Sequence, residues 1–228
     1  MIEKNIKHRF SYSDKAGWDK VKLISIPLPV KTDENGDALI DDTHFYHDDG
    51  FIPDFDYMQE RITKLEQERI TELEQYLIAT GLNDYELTNE DKGILATKLT
   101  SGKCLQGLIS KNNCFKKTKM FKITDVFDVK NSKNILKSSV DFTKKEHPYV
   151  TAQEKNNSIM SYVGYDETFL DKGNCIFIGG KTLVISYQKE DFFSNDSHNL
   201  LLYLKTSSNE RIQEYLISAL YKALKPKY

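Results

Sequence analysis

The 228-residue chain has three cysteines, Cys104, Cys114 and Cys175. Their number is odd, their spacing wide and no CxxC pair occurs, so neither a disulfide framework nor a zinc site is supported. No segment approaches the apolar length that spans a bilayer, and the opening MIEKNIKHRF lacks a signal-peptide core. The sequence reads as soluble and cytoplasmic, with no membrane partner. Catalytic signatures are missing as well. There is no GxSxG elbow. Gly179-Gly180-Lys181-Thr182 lacks the spacing before the lysine and the following helix that a P-loop requires. His44 and His47, beside Asp48 and Asp49, could suit a metal by spacing, but they lie in a predicted loop without the glutamate of a zinc-protease helix. No catalytic residue, metal or cofactor is expected.

What is present is a segregated charge. The net charge is only −2, yet Asp33, Glu34, Asp37, Asp41, Asp42, Asp48, Asp49, Asp54 and Asp56 form an acidic stretch. Lys111, Lys116, Lys117, Lys119, Lys122, Lys130, Lys133 and Lys137 form a basic one. Such a run is a solvated surface unless its cations cluster in space, in which case it is a footprint for nucleic acid.

Periodicity divides the chain. Residues 10–30 predict a turn around Lys15-Ala16-Gly17 and a strand through Val21, Leu23 and Ile24, closed by Pro27 and Pro29. Residues 31–53 carry the turn signals Asn35-Gly36 and Asp49-Gly50 and predict an exposed loop with a small hairpin. From Phe55 to Leu82, apolar Met58, Ile62, Leu65, Ile70, Leu73 and Leu77 form a narrow stripe on a charged helix, with Gly81 as its C-cap. A helix of about 27 residues is roughly 40 Å long, more than a small core needs, so the stripe is expected to meet another long helix. The break between Leu65 and Ile70 fits a short helix pair better than a long supercoil. Another short helix is predicted from Thr88. Beyond Phe121, KITDVFDV, HPYVTA, SIMSYVGY, NCIFIGG, TLVISYQ and NLLLYL read as short strands of a mixed sheet. Ile212, Leu216, Leu220 and Leu224 then mark one face of a helix ending before Pro226. The expected class is α+β.

Three segments in this order, ISIPLPV, PDFDYMQERITKLEQERITELEQYLIATGLNDYELT and the sheet region ending YLISALYKALKPKY, resemble the specificity subunit of type I restriction-modification systems. The middle segment is similar to that family's conserved spacer, and the last is similar to its target recognition domain. The resemblance implies a DNA-reading subunit without chemistry of its own. Its partners would be double-stranded DNA, DNA methyltransferase (modification) subunits and, through them, a restriction subunit; complete methyltransferase motifs are not evident here. The family usually has two recognition domains and two antiparallel spacer helices, whereas this chain has one of each. Its order is also permuted, since residues 1–30 resemble the end of a recognition domain yet precede the helix. The segment ALIDDTHFYHDDGFIP exceeds the family's usual short connection.

The expected organisation is therefore 1–52, a strand segment and acidic loop completing a recognition domain; 53–100, the spacer helix and a short helix; and 101–228, the recognition domain. A homodimer is expected, its spacer helices pairing as an antiparallel coiled coil through Met58, Ile62, Leu65, Leu73 and Leu77. Trp18, Val21 and Ile24 would pack on the partner's sheet domain, unless the acidic loop lets them return to their own. For DNA, Thr151, Gln153, Lys155, Asn156 and Asn157 offer base-reading groups on an inter-strand loop, although Asn156-Asn157 also suits a plain hairpin turn. Lys144, Lys145 and Lys181 would hold phosphate, and Tyr187 and Gln188 end a strand where they could touch DNA. The alternative is a truncated coiled-coil interaction protein that assembles with or inhibits such a complex without reading DNA.

Overall fold

The computed structural model describes residues 17–81 and 116–224. In chain order the elements are α1 (Trp18–Val21), β1 (Ser25–Pro29), α2 (Phe55–Thr80), β2 (Thr118–Lys122), α3 (Ile123–Val126), β3 (Phe127–Asn131), β4 (His147–Val150), β5 (Ile159–Val163), β6 (Cys175–Ile178), β7 (Ile185–Gln188), β8 (Phe193–Ser194), β9 (Leu200–Leu204) and α4 (Glu210–Leu224). The class is α+β with mixed sheets and one long helix.

The continuous apolar runs of β6 and β9 can be buried only in a sheet covered on both faces. Both are central in the antiparallel order β3-β9-β6-β7. Their alternation divides the side chains between two cores. Ile176, Ile178, Leu200 and Leu202 face α4, whose Ile212, Leu216, Leu220 and Leu224 are all buried. Cys175, Phe177 and Leu201 face Val150 and Phe192 of the other layer. That layer is the sheet β5-β4-β8, in which β4 runs antiparallel to β5 and parallel to β8. Its other face packs Tyr149, Val163 and Phe193 against Ile135 and Val140.

The amino-terminal segment joins the same chain's core. Val21, Ile24, Ile26, Leu28, Val30 and Met58 are buried with Phe121, Ile123 and the α4 stripe. In the single chain Val21, Ile24 and Met58 are thus buried by its own core; the side chain of Trp18 lies outside the described residues. The reason is where the chain returns. Lys116 is ion-paired to Asp54, at the start of α2, so the sheet domain stands at the near end of the helix. The 34 residues from 82 to 115 have ample contour length to come back.

Local structure departs from the expected strands in three places. Residues 18–21 are a helical turn, and the strand starts later and contains both prolines. Val30 N–H donates to Lys117 O (3.1 Å) and Asp54 N–H to Pro29 O (2.9 Å). Even-numbered positions thus face β2, and the prolines sit on the side that needs no donor towards β2. The run KITDVFDV is not one strand, because α3 turns the chain between β2 and β3 and buries Ile123 and Val126. β8, two residues long, has no counterpart among the expected strands.

In α2, Asp54 caps the start by accepting from Tyr57 N–H, and Gly81 ends it at φ 69°. Its base is fixed to α4, where Asn209 Nδ2 donates to Gln59 Oε1 (2.6 Å) and Arg211 Nε to Glu66 Oε2 (2.8 Å). Ile62 is half-buried, whereas Leu65, Ile70, Leu73 and Leu77 are exposed. The short helix expected from Thr88 lies outside the described residues.

Candidate nucleic-acid interface

The acidic and basic stretches meet. Besides Lys116 with Asp54, Lys117 pairs with Asp37 (3.1 Å) and Lys122 with Asp48 (2.7 Å). Lys119 lies over the Phe51 ring and Lys130 over that of Tyr203. Lys133 Nζ donates to the carbonyls of Thr168 and Leu170. Hydrogen bonding from Lys122, then its charge, holds the Asp48 carboxyl below the usual range. The ribbon β1–β2 and the loop before α2 thus form a self-neutralised surface, and among the described residues the basic run is no continuous footprint; Lys111 lies outside them. His44 Nδ1 lies 2.7 Å from Asp48 O and His47 Nε2 3.1 Å from Met120 O. Both rings are engaged with main chain.

A different surface gathers three loops. Residues 151–158 leave β4 and enter β5, residues 179–184 join β6 to β7, and residues 195–199 precede β9. Thr182 Oγ1 donates to Ala152 O (3.1 Å), and Asn195 N–H to Val150 O (3.3 Å). Gly180 N–H donates to Asn199 Oδ1 (3.2 Å). A Cβ on Gly180 would lie 2.1 Å from His198 O, so glycine is required for that close approach. Lys181 pairs with Asp196 (2.6 Å), which also accepts from His198 N–H and meets the His198 ring (2.7 Å). Burial opposes ionisation of Asp196, but Lys181 and His198 outweigh it and hold the carboxyl at about 2.

Behind these loops lies an underlayer of buried neutral polar side chains. Ser158, Ser186, Gln188, Ser194, Asn199 and Ser132 are all buried. Ser186 Oγ donates to Ser158 Oγ, Asn199 Nδ2 to Ser194 Oγ and Ser132 Oγ to Asp196 O. Buried polar groups are tolerated when fully bonded, and then they fix one geometry.

The residues expected to meet DNA divide accordingly. Lys155, Asn156 and Asn157 are exposed, and Thr151 and Gln153 half-buried. Gln153 Nε2 donates to Ile159 O (2.9 Å), which commits its amide to the loop. Gln188, 2% exposed, cannot reach DNA; position 188 faces the loop because the pleat turns every second side chain of β7 inward. Tyr187 points the other way, its hydroxyl donating to Asn174 Oδ1 (3.1 Å). Lys181 is already neutralised by Asp196. Lys144 and Lys145 are exposed but precede β4, roughly 13 Å of strand away from the loop that follows it. His198, Thr182 and Ser197 are the exposed members that sequence reasoning missed. Only the glycine pair before Lys181 hinted at them.

Residues 116–228, the segment that holds this surface, match the family model described as the type I restriction modification DNA specificity domain. That segment is thus similar to the DNA specificity domain of type I restriction-modification systems. Two crystal structures are similar. One is of the S subunit of a type I restriction-modification system from M. genitalium (16% identity, TM-score 0.35, covering 75% of this chain and 40% of that one). The other is of the HsdS subunit from Thermoanaerobacter tengcongensis (13% identity, TM-score 0.31, covering 75% and 44%). The chain thus spans about two fifths of the length of these S subunits. No curated protein matches it. None of the described helices is long and apolar enough to cross a membrane.

Proposed function

We propose that the chain is a DNA-reading subunit of a restriction-modification system, and that the three-loop surface around Lys155, Asn156, Asn157, Thr182 and His198 contacts the duplex. The observation that carries this is the concentration of buried, bonded polar side chains behind those loops. Base edges are read by side chains held in fixed positions, and rigid loops on a sheet supply them. Lys144 and Lys145, without a salt bridge among the described residues, supply phosphate contacts beside β4.

The subunit has no catalytic activity of its own in this reading, and positions methyltransferase and restriction subunits on DNA. The exposed stripe Leu65, Ile70, Leu73 and Leu77, with Ile62, pairs antiparallel with the same stripe of a second copy. The dimer then presents two recognition domains to a bipartite site. Symmetric dimers are the commonest closed assemblies. Ile62→Glu and Leu73→Glu are expected to give monomers by sedimentation that lose the bipartite preference.

The test is enrichment of a random duplex pool by the chain with the methyltransferase subunit present. A defined sequence bound with steep salt dependence is expected, because phosphate contacts release counterions. Complex assembly through α2, insensitive to salt and without any enriched sequence, would favour the interaction-protein reading instead. Methyl transfer by the purified chain alone would contradict the non-catalytic role.

A further inference from the structure

We infer that Gln188, which cannot touch DNA, decides which base is read, because it latches a left-handed turn of the 151–158 loop to the edge of the sheet. This rests on the reading of that loop as a DNA contact. Asn156, Asn157 and Ser158 have φ of 50°, 52° and 66°. Left-handed backbone crowds the Cβ of every L-residue, asparagine tolerates it best, and such residues occur singly rather than in runs. Three in succession therefore need to be held by their surroundings.

The holding groups come from β7. Gln188 Nε2 donates to Asn157 O (2.8 Å) and to Ser186 Oγ (2.9 Å). Ser186 Oγ donates to Ser158 Oγ (3.0 Å), and Asn157 Nδ2 returns a bond to Tyr187 O (2.6 Å). Ser158 O accepts from Thr151 N–H (2.9 Å), which closes the loop on the end of β4. β7 is an edge strand of its sheet. Further along it, the main chain of Ile185 is met by the Tyr221 hydroxyl, so both exposed stretches of the edge are capped by side chains. Ser186 and Gln188 are polar although 5% and 2% exposed, and their bonded partners include the turn in each case.

The turn that results is fixed, and the Asn157 amide with it, while the outer side chain of Asn156 stays free. Asn156 is exposed and its side chain makes no hydrogen bond among the described residues. An amide that reads adenine must present its oxygen and nitrogen together, and small displacements of such a group destroy the match. Gln188 is thus a positioning residue for the amide of Asn156.

The test uses the full chain, a random-sequence duplex pool, and the enriched duplex with its single-base variants. Gln188→Met keeps length and burial but removes both donors. It is expected to melt cooperatively and to bind non-specific duplex with the wild-type salt slope, yet to discriminate about tenfold less at one base position. Asn156→Ala should relax the same position. If Gln188→Met does not fold, Ser186→Ala is judged by the same criterion. A folded latch variant with unchanged discrimination at every position overturns the inference and leaves the DNA reading standing. A wild-type chain that enriches no sequence overturns the DNA reading, and the latch with it.

Discussion

The β1–β2 ribbon and the three-loop surface are both rich in polar side chains, but their polar groups are spent differently. On the ribbon, Lys116, Lys117 and Lys122 face Asp54, Asp37 and Asp48, and the positive run is consumed by the negative one. On the loop surface the charges are few, and neutral buried groups stand behind exposed amides and hydroxyls. Charge density along a chain is therefore a poor guide to a binding surface when opposite runs can fold together. Buried, bonded polar groups under a loop are the better sign, because an apolar substitute would pack there unless the loop needed support.

The same substitution separates the two regions most sharply. Gly180→Ala places a Cβ 2.1 Å from His198 O, and is expected to lower stability in urea unfolding by about 3 kcal/mol, since main chain must move. Gly36→Ala on the ribbon loop meets nothing within 4 Å and bears only its φ of 81°, a loss of about 1 kcal/mol. The reverse order would break the comparison.

Acid comes next. Asp196 ionises at about 2 against an ordinary 3.8. A carboxylate depressed by folding adds stability that is complete above its unfolded value and is lost as pH falls through the folded one. Between about pH 4 and pH 2 this carboxylate should surrender at most about 2 kcal/mol, and in Asp196→Asn the fall of the melting temperature over that window should be shallower than in wild type. The smallest effect belongs to the ribbon. A double-mutant cycle on Lys117 and Asp37 is expected to give a coupling below about 1 kcal/mol that vanishes in high salt. A larger, salt-resistant coupling would mean that the ribbon is a structural clasp.

Much of this is legible in the sequence. The helix from Phe55, its cap at Gly81 and the α4 stripe follow from 3.6-residue periodicity, and the strands of the two sheets from short apolar runs between turns. Periodicity does not say which apolar residue meets which surface. Met58 and Leu65 look alike in the stripe, yet one is buried by the chain's own core and the other exposed. The return of the chain to Asp54, which draws Val21 and Ile24 into their own domain, is a long-range event with no local signal. For the site, the loop 151–157 stands out by its amides, but its partners Thr182 and His198 lie about 30 and 45 residues further on. Gln188 falls behind the surface rather than on it because facing depends on strand register, and a shift of one residue reverses it.

The central claim is that the loop surface, not the basic ribbon, reads DNA. It is tested most directly by comparing the sequences enriched from one random duplex pool by the wild-type chain, by a ribbon variant with Lys117→Ala and Lys122→Ala, and by a loop variant with Lys155→Ala and Asn156→Ala. The account predicts that the ribbon variant selects the wild-type sequence and that the loop variant selects a relaxed one. A ribbon variant that loses the preferred sequence while the loop variant keeps it would contradict the account.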